Sequence, residues 1–68
     1  MKQYIITILK NGKTFDEIIF NANNEEEALE YMANFFTQYG RKYTMHLALY
    51  YGNGRKGTII SSIDKNIF

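Results

Sequence analysis

The chain contains four β-rich runs, and two Asn-Gly dipeptides divide these runs into two pairs. The dipeptides are Asn11-Gly12 and Asn53-Gly54. Both central residues of a type I′ turn need positive φ, which Asn and Gly adopt readily, so each dipeptide predicts a β-hairpin. The first hairpin is expected to pair residues 3–10 with 13–20, and the second to pair residues 43–51 with 56–63.

One helix is predicted between the two hairpins. Asn24 is expected to cap its N-terminus, and Glu27 three residues later completes a capping-box pattern. Gly40 supplies the left-handed residue at which helices commonly end. Six apolar residues recur at helical spacing and form one broad face. They are Ala28, Leu29, Met32, Phe35, Phe36 and Tyr39.

These elements predict an α+β fold in the order β-β-α-β-β. We expect a single domain over residues 1–68, with a four-stranded, mainly antiparallel sheet and one helix packed on one face. The order, together with the first hairpin at residues 4–14, resembles the β-grasp arrangement of the immunoglobulin-binding domain of protein G. The resemblance implies a fold only, because no Trp occupies the third strand and no binding residues carry over.

The sheet face that the helix leaves open is the first candidate for a binding surface. Side chains alternate between faces along a strand, so two-residue turns assign each residue to a face. A contiguous exposed apolar patch usually marks an interface with a second copy or another protein. The predicted interface residues are Ile5, Leu9, Ile18, Phe20, His46, Tyr50, Ile59 and Ile63. Two alternatives remain: a register error that mixes the faces, or coverage of this face by residues 64–68.

A basic, aromatic pole gives a second hypothesis, that the chain binds nucleic acid. The residues expected to converge there are Lys10, Lys13, Arg41, Lys42, Tyr43 and Lys65. Such a pole binds phosphates and stacks bases. A net charge of +1 is far below that of a typical nucleic-acid-binding protein. Helix-dipole complementation and solubility explain the same basic residues equally well.

Composition narrows the class of protein. The chain has 68 residues, 8.0 kDa, 46% hydrophobic residues, and no Cys, Pro or Trp. A single core of this size gives a stability margin of only about 3–5 kcal/mol. The apolar runs are too short for a membrane span, and the N-terminus lacks the pattern of a signal peptide. The absence of cysteine fits a reducing compartment, so we expect a cytoplasmic protein without a membrane partner.

Two motifs with possible chemistry do not predict an enzyme. Residues 52–57 match G-x-G-x-x-G, but a strand follows them, whereas the dinucleotide fingerprint needs a helix there. His46 has Ser61 as its nearest predicted partner and no carboxylate at matching spacing. No catalytic residue, metal ligand or cofactor site is therefore predicted.

The sequence thus favours a small non-enzymatic protein-binding module that uses the open sheet face or an edge strand. The composition is typical of an AT-rich genome, and small cysteine-free domains of that origin are often accessory proteins of phages or other mobile elements. They include inhibitors of host enzymes such as anti-CRISPR proteins, which makes an inhibitor one hypothesis. The alternatives are the nucleic-acid-binding module and a structural homo-oligomer.

Overall fold

A computed structural model of the chain describes residues 1–39 and 42–64. It confirms the predicted α+β fold, with four antiparallel strands in one sheet and one helix. The elements in chain order are β1 (Lys2–Lys10), β2 (Lys13–Ala22), α1 (Glu25–Tyr39), β3 (Thr44–Gly52) and β4 (Arg55–Ile63). The predicted helix-ending residue, Gly40, and the basic residues Arg41 and Lys65 lie outside the described residues.

Both Asn-Gly dipeptides form the predicted tight turns. Asn11 and Gly12 have φ values of 55° and 79°, and Asn53 and Gly54 have values of 52° and 76°. These left-handed conformations are the ones that a type I′ turn requires at its two central positions. The turns place β1 against β2 and β3 against β4, as the sequence predicts.

The two hairpins join through β1 and β3, which gives the strand order β2-β1-β3-β4. These central strands run antiparallel, with Ile6 opposite Leu47 and Ile8 opposite Met45. The β-grasp resemblance is therefore wrong in its topology, because that arrangement pairs the first and last strands in parallel at the centre of the sheet. Here β2 and β4 form the two edges.

A β-bulge shifts the register of the first hairpin near its turn. Leu9 lies opposite Thr14, but Ile8 lies opposite Asp16, so Phe15 has no partner on β1. One extra residue moves every later side chain of β2 to the other face. The predicted faces of β2 are therefore exchanged from Asp16 onward.

Because of the bulge, the predicted faces of three apolar residues in β2 are wrong. Phe20 lies opposite Tyr4 and Ile18 opposite Ile6, so both face the helix and contribute to the core, where the sequence placed them on the open face. Ile19, which regular alternation without a bulge places under the helix, lies opposite Ile5 on the other face.

The second hairpin has a related shift. Ile63 lies opposite Met45 and packs against the core, so its predicted place on the open face is wrong. Ile59 lies opposite Ala48 and keeps its predicted face. The register of this hairpin shifts three times along its length, so its two strands are less regular than β1 and β2.

The core lies between α1 and one face of the sheet. Its buried cluster comprises Tyr4, Ile6, Ile8, Phe20, Ala22, Ala28, Met32, Phe36, Met45 and Leu47. The helix starts as predicted, because the Glu27 N–H donates to Asn24 Oδ1 at 2.8 Å. The Glu27 carboxylate accepts from the Asn23 amide at 3.2 Å. The Glu27 side chain, which the capping-box pattern directs back toward the helix start, thus bonds to the Asn23 side chain.

Candidate functional site

The sheet face away from α1, called the open face here, is crossed by one row of apolar residues. Ile19, Ile5, Ala48 and Ile59 lie opposite one another across β2, β1, β3 and β4, and they are called the apolar row. The two inner residues are buried, with Ile5 2% exposed and Ala48 5% exposed. The two outer ones are open to solvent, with Ile19 48% exposed and Ile59 52% exposed. The apolar surface of this face is therefore found at its edges.

An ion pair crosses the open face between the two edge strands. The Lys56 ammonium on β4 contacts the Glu17 carboxylate on β2. It also lies 3.4 Å from the Thr7 hydroxyl on β1, so the lysine side chain extends over the central strands. Charged and hydroxyl groups thus occupy the part of this face next to the buried Ile5, which disfavours the centre as an apolar docking surface.

The remaining predicted interface residues are half-buried on the sheet. Leu9, His46 and Tyr50 each fall in this class. His46 lies opposite Thr7 on β1 and Ser62 on β4, one residue away from the predicted Ser61. The Tyr50 hydroxyl accepts the Gly54 N–H at 3.0 Å, so it is engaged by the β3–β4 turn. Of the predicted set, Ile59 is the one that is well exposed.

A continuous file of aromatic rings runs along the junction between α1 and β2. Phe20 stacks on Tyr31 with ring centroids 4.1 Å apart. The file continues from Tyr31 to Phe35 at 6.4 Å and from Phe35 to Tyr39 at 5.2 Å. We call this group of rings the aromatic seam. It comprises Phe20, Tyr31, Phe35, Tyr39, Tyr43 and Phe15.

The far end of the aromatic seam reaches the turn of the first hairpin. Tyr39 meets Tyr43 edge to face at 5.2 Å, and Tyr43 stacks on Phe15 at 5.2 Å. The Lys10 ammonium then lies 5.7 Å above the centre of the Phe15 ring, within the range of a cation–π contact. The structure thus brings together Lys10 and Tyr43 of the predicted basic pole.

Helix periodicity and the bulge explain why these rings meet. Tyr31, Phe35 and Tyr39 are four residues apart, so they project from one side of α1. The register shift turns Phe20 toward that side. Phe15, the bulged residue, is exposed and reaches the aromatic seam from the start of β2, next to the hairpin turn. Phe15 and Tyr31 could not be predicted as site residues, since a regular two-residue hairpin places Phe15 under the helix.

The other residues of the predicted basic pole are not part of this cation–π contact. Lys13 and Lys42 are exposed beside the hairpin turn and after α1. Arg41 and Lys65 belong to the part of the chain that is not described. Among the described residues, Lys10 is therefore the basic residue of the predicted pole that contacts the aromatic seam.

Tyr39 is electrostatically distinct within the aromatic seam. Burial raises the pKa of its hydroxyl above the ordinary value of 10.0, and the Asp16 carboxylate and the Tyr43 hydroxyl raise it further. Each of these effects disfavours the phenolate, either through lost hydration or through a nearby negative charge. Asp16 on β2 is thus close enough to the end of α1 to influence its last residue.

The β2 edge is exposed along most of its length. Of its residues only Phe20 and Ala22 are buried, and both face the helix side. The Glu17 N–H donates to the Asp16 carboxylate at 2.8 Å, which occupies one amide. The residues that follow run regularly opposite β1 up to Ala22. This regular stretch is a template on which another strand can pair.

Two shallow depressions lie on the surface of the described residues. One has a volume of about 260 Å³ and lies on α1 between Tyr31, Asn34, Phe35 and Gln38, so it borders the aromatic seam. The other has a volume of about 320 Å³ and is formed by Lys2, Gln3, Leu49, Tyr50 and Tyr51. The first extends the contact surface next to β2 with two amide side chains.

The described residues contain neither a metal-binding cluster nor a membrane-spanning helix. No three acidic, His or Cys side chains among residues 1–39 and 42–64 gather closely enough to hold a metal ion. Over the same residues, no helix has the length and hydropathy needed to cross a membrane. No protein-family model, no curated protein and no solved structure matches the chain.

Proposed function

We propose that this chain is a non-enzymatic protein-binding module that acts through the edge of β2. An extended segment of a partner adds to the sheet as a further strand and pairs with the backbone of β2. Main-chain hydrogen bonds then supply affinity, and side chains on alternate faces supply selectivity. On the helix side the added strand meets the aromatic seam, and on the open face it meets Ile19.

The observation that carries this proposal is the exposure pattern across the apolar row. Ile19 on β2 is 48% exposed, whereas its neighbour Ile5 is 2% exposed. A new strand beside β2 places a side chain directly against Ile19 and removes it from water. Burying a large apolar side chain is worth about 1.5–3 kcal/mol, so this position favours an occupant.

The other edge strand, β4, is a poorer template. Its pairing with β3 shifts register at three points, whereas β2 has one shift, which lies next to its turn. Bulges interrupt the regular spacing of backbone donors and acceptors and so discourage strand addition. No run of aromatic rings like the aromatic seam is described along β4.

The partner we propose is another polypeptide in the cytoplasm. A larger host protein is one such partner, and binding to it makes this chain an accessory protein or inhibitor of the kind that phages and other mobile elements encode. Size and composition support this role, and the exposed β2 edge supplies the means of contact.

Selection of peptides from a random phage-displayed library tests the binding mode. The wild-type chain serves as bait, and every selected peptide is then measured against Ile19→Glu and the matched variant Ile59→Glu. Both isoleucines are exposed ends of the same apolar row. Strand addition at β2 predicts at least a tenfold loss of affinity for Ile19→Glu and little change for Ile59→Glu. Peptides that lose affinity only with Ile59→Glu contradict the proposal, and so does the absence of enriched peptides on a bait that sediments as a monomer.

A second function is supported by one observation at the end of the aromatic seam. Lys10, Phe15 and Tyr43 form a stacked, cationic group at the tip of the first hairpin. A base stacks on such an exposed ring while the lysine contacts phosphate, so single-stranded nucleic acid is the alternative partner.

Fluorescently labelled single-stranded DNA measures this alternative directly. If the tip binds nucleic acid, affinity falls steeply as salt rises, and both Phe15→Ala and Lys10→Gln weaken it. Lys2→Gln removes an equal charge at the other end of β1 and serves as the control. Binding that is absent, or that Lys2→Gln and Lys10→Gln reduce equally, contradicts a site at the tip.

A further inference from the structure

We propose that a second copy of this chain occupies the β2 edge, with the two β2 strands antiparallel and Ile19 on the two-fold axis. This inference rests on the proposed function and names the partner for the same surface. It follows from which registers the residues of β2 permit when the strand pairs with itself.

Symmetry limits the possible registers to a few. Two antiparallel edge strands of identical chains are related by a two-fold axis perpendicular to the sheet, so one residue of β2 must lie opposite itself. Residues equally far before and after it then lie opposite each other on the same face. The choice of register is therefore the choice of the central residue.

Charge excludes two central residues in the middle of β2. A dimer centred on Asp16 or Glu17 places a carboxylate directly opposite the same carboxylate of the partner. Like charges opposite one another on a sheet are destabilising. A centre at Ile18 avoids this repulsion but places Asp16 against the partner's Phe20, so a carboxylate faces a ring that belongs to the core.

The ends of β2 are also unsuitable as centres. Phe15 is the bulged residue, without a partner on β1, so the backbone around it is irregular. Phe15 is also stacked on Tyr43. A centre at Phe20 leaves a shorter paired stretch, residues 18–22, and places Ile19 against the partner's Asn21.

A centre at Ile19 satisfies each requirement. Ile19 then covers the partner's Ile19, and Ile18 lies opposite the partner's Phe20 on the helix side. Glu17 lies opposite the partner's Asn21, so no like charges are paired, and Asp16 lies opposite the partner's small Ala22 at the end of the paired stretch rather than opposite a ring. The paired stretch is residues 16–22, which is the regular part of β2 beyond the bulge.

This register makes one continuous surface from the two copies. The two four-stranded sheets become a single sheet, and the two apolar rows join end to end through Ile19. Tyr31, which stacks on Phe20 at the β2 side of each helix, borders the junction from the helix face. Ile19, the most exposed apolar residue of the regular β2 stretch, is thereby covered by the partner's Ile19.

Engineered cysteines test this register cleanly, because the chain has no cysteine of its own. Directly opposite residues have Cα atoms about 4.5–5.5 Å apart, which lies within the disulfide range of about 4.4–6.8 Å. Ile19→Cys is therefore expected to form a disulfide-linked dimer under mild oxidation. Ile59→Cys is the matched control, since it is equally exposed at the far end of the apolar row.

A third cysteine variant tests the position of the axis. Phe15→Cys is exposed and lies on the same strand. In the Ile19-centred register the two copies of residue 15 are separated by about 27 Å along the strands, so they do not crosslink. Rapid crosslinking of Ile19→Cys alone supports the proposal. Faster crosslinking of Phe15→Cys overturns the register, and equal rates for all three variants indicate random collision and overturn the dimer.

Sedimentation of the unmodified chain separates failure of the dimer from failure of strand addition. We expect a dimer that Ile19→Glu dissociates and Ile59→Glu retains, with circular dichroism confirming that both variants fold. A monomer at every concentration overturns self-pairing. If library peptides still depend on Ile19 in that case, the proposed function stands and the partner is a different protein. If they do not, both are wrong.

Discussion

The Tyr31 ring lies flat against Phe20, with centroids 4.1 Å apart and ring planes 12° from parallel. This stack joins the middle of α1 to the edge strand β2. Phe20 is buried beneath it, while Tyr31 remains exposed on its outer side. The pair therefore belongs both to the core and to the surface that borders the proposed binding edge.

Substitutions of the two rings are expected to differ in their cost. Tyr31→Ala removes an exposed stacking partner and should lower the free energy of unfolding by about 1 kcal/mol. Phe20→Ala opens a cavity in the core and should cost about 3–5 kcal/mol, which equals the whole margin expected for a core of this size. Urea unfolding followed by circular dichroism measures both. A stable, fully folded Phe20→Ala protein contradicts the placement of Phe20 under the helix.

The cap of α1 gives a second prediction. Asn24→Ala removes the acceptor of the Glu27 N–H and should lower the free energy of unfolding by about 1 kcal/mol. Asn24→Asp keeps the acceptor and should retain stability. Asn23→Ala, which removes only an exposed contact with the Glu27 carboxylate, is the matched control. Thermal unfolding that ranks Asn23→Ala below Asn24→Ala contradicts this assignment of the cap.

The ion pair across the open face is expected to contribute little to stability. Both side chains are more than a third exposed, so solvent screens their attraction. A double-mutant cycle with Lys56→Met and Glu17→Gln should give a coupling energy below about 1 kcal/mol, which decreases further as salt is added. A much larger coupling energy that does not change with salt contradicts this prediction, because it requires a buried ion pair.

The titration of Tyr39 depends on its neighbours in a direction that can be tested. Its pKa is raised by burial, by Asp16 and by Tyr43. Its contribution to stability is therefore intact below the unfolded pKa of about 10, and is lost as pH rises through the higher folded pKa. Asp16→Asn should lower the pKa of Tyr39 toward the ordinary value, as measured by NMR of its ring resonances. An unchanged or higher pKa in that variant contradicts the proximity of Asp16.

Local signals in the sequence predicted the elements well. Asn11-Gly12 and Asn53-Gly54 require a tight turn because few other dipeptides tolerate two successive left-handed residues. The acceptor at Asn24 and the apolar spacing of the helix specify where α1 begins and which face it buries. Each of these features depends on neighbouring residues, so a single sequence carries enough information.

The faces of the strands could not be predicted in the same way. Ile18, Ile19 and Phe20 are consecutive large apolar residues, so alternation does not decide which of them faces the core. The bulge at Phe15 makes that decision, and it accompanies the packing of Phe15 on Tyr43 and of Phe20 on Tyr31. These are contacts between distant parts of the chain, and no local pattern encodes them.

The same limit applied to the candidate site. The sequence predicted an apolar row across four strands, but the strand order that places Ile5 beside Ala48 follows from the antiparallel pairing of β1 and β3. Because of the register shifts in both hairpins, the prediction included Ile18, Phe20 and Ile63, which are in or against the core, and omitted Ile19. The exposed end of the row on β2 could be found only from the register.

Amide hydrogen exchange along β2 shows whether an added strand pairs with this edge. Exchange is measured by NMR on the labelled chain alone, diluted until it is monomeric, and with the tightest peptide from the random library. Strand addition predicts slower exchange at alternate amides between Asp16 and Ala22, where outward-pointing N–H groups gain acceptors, and no change along β4. Protection confined to β4 or to the open face contradicts it, because the peptide then binds without extending the sheet at β2.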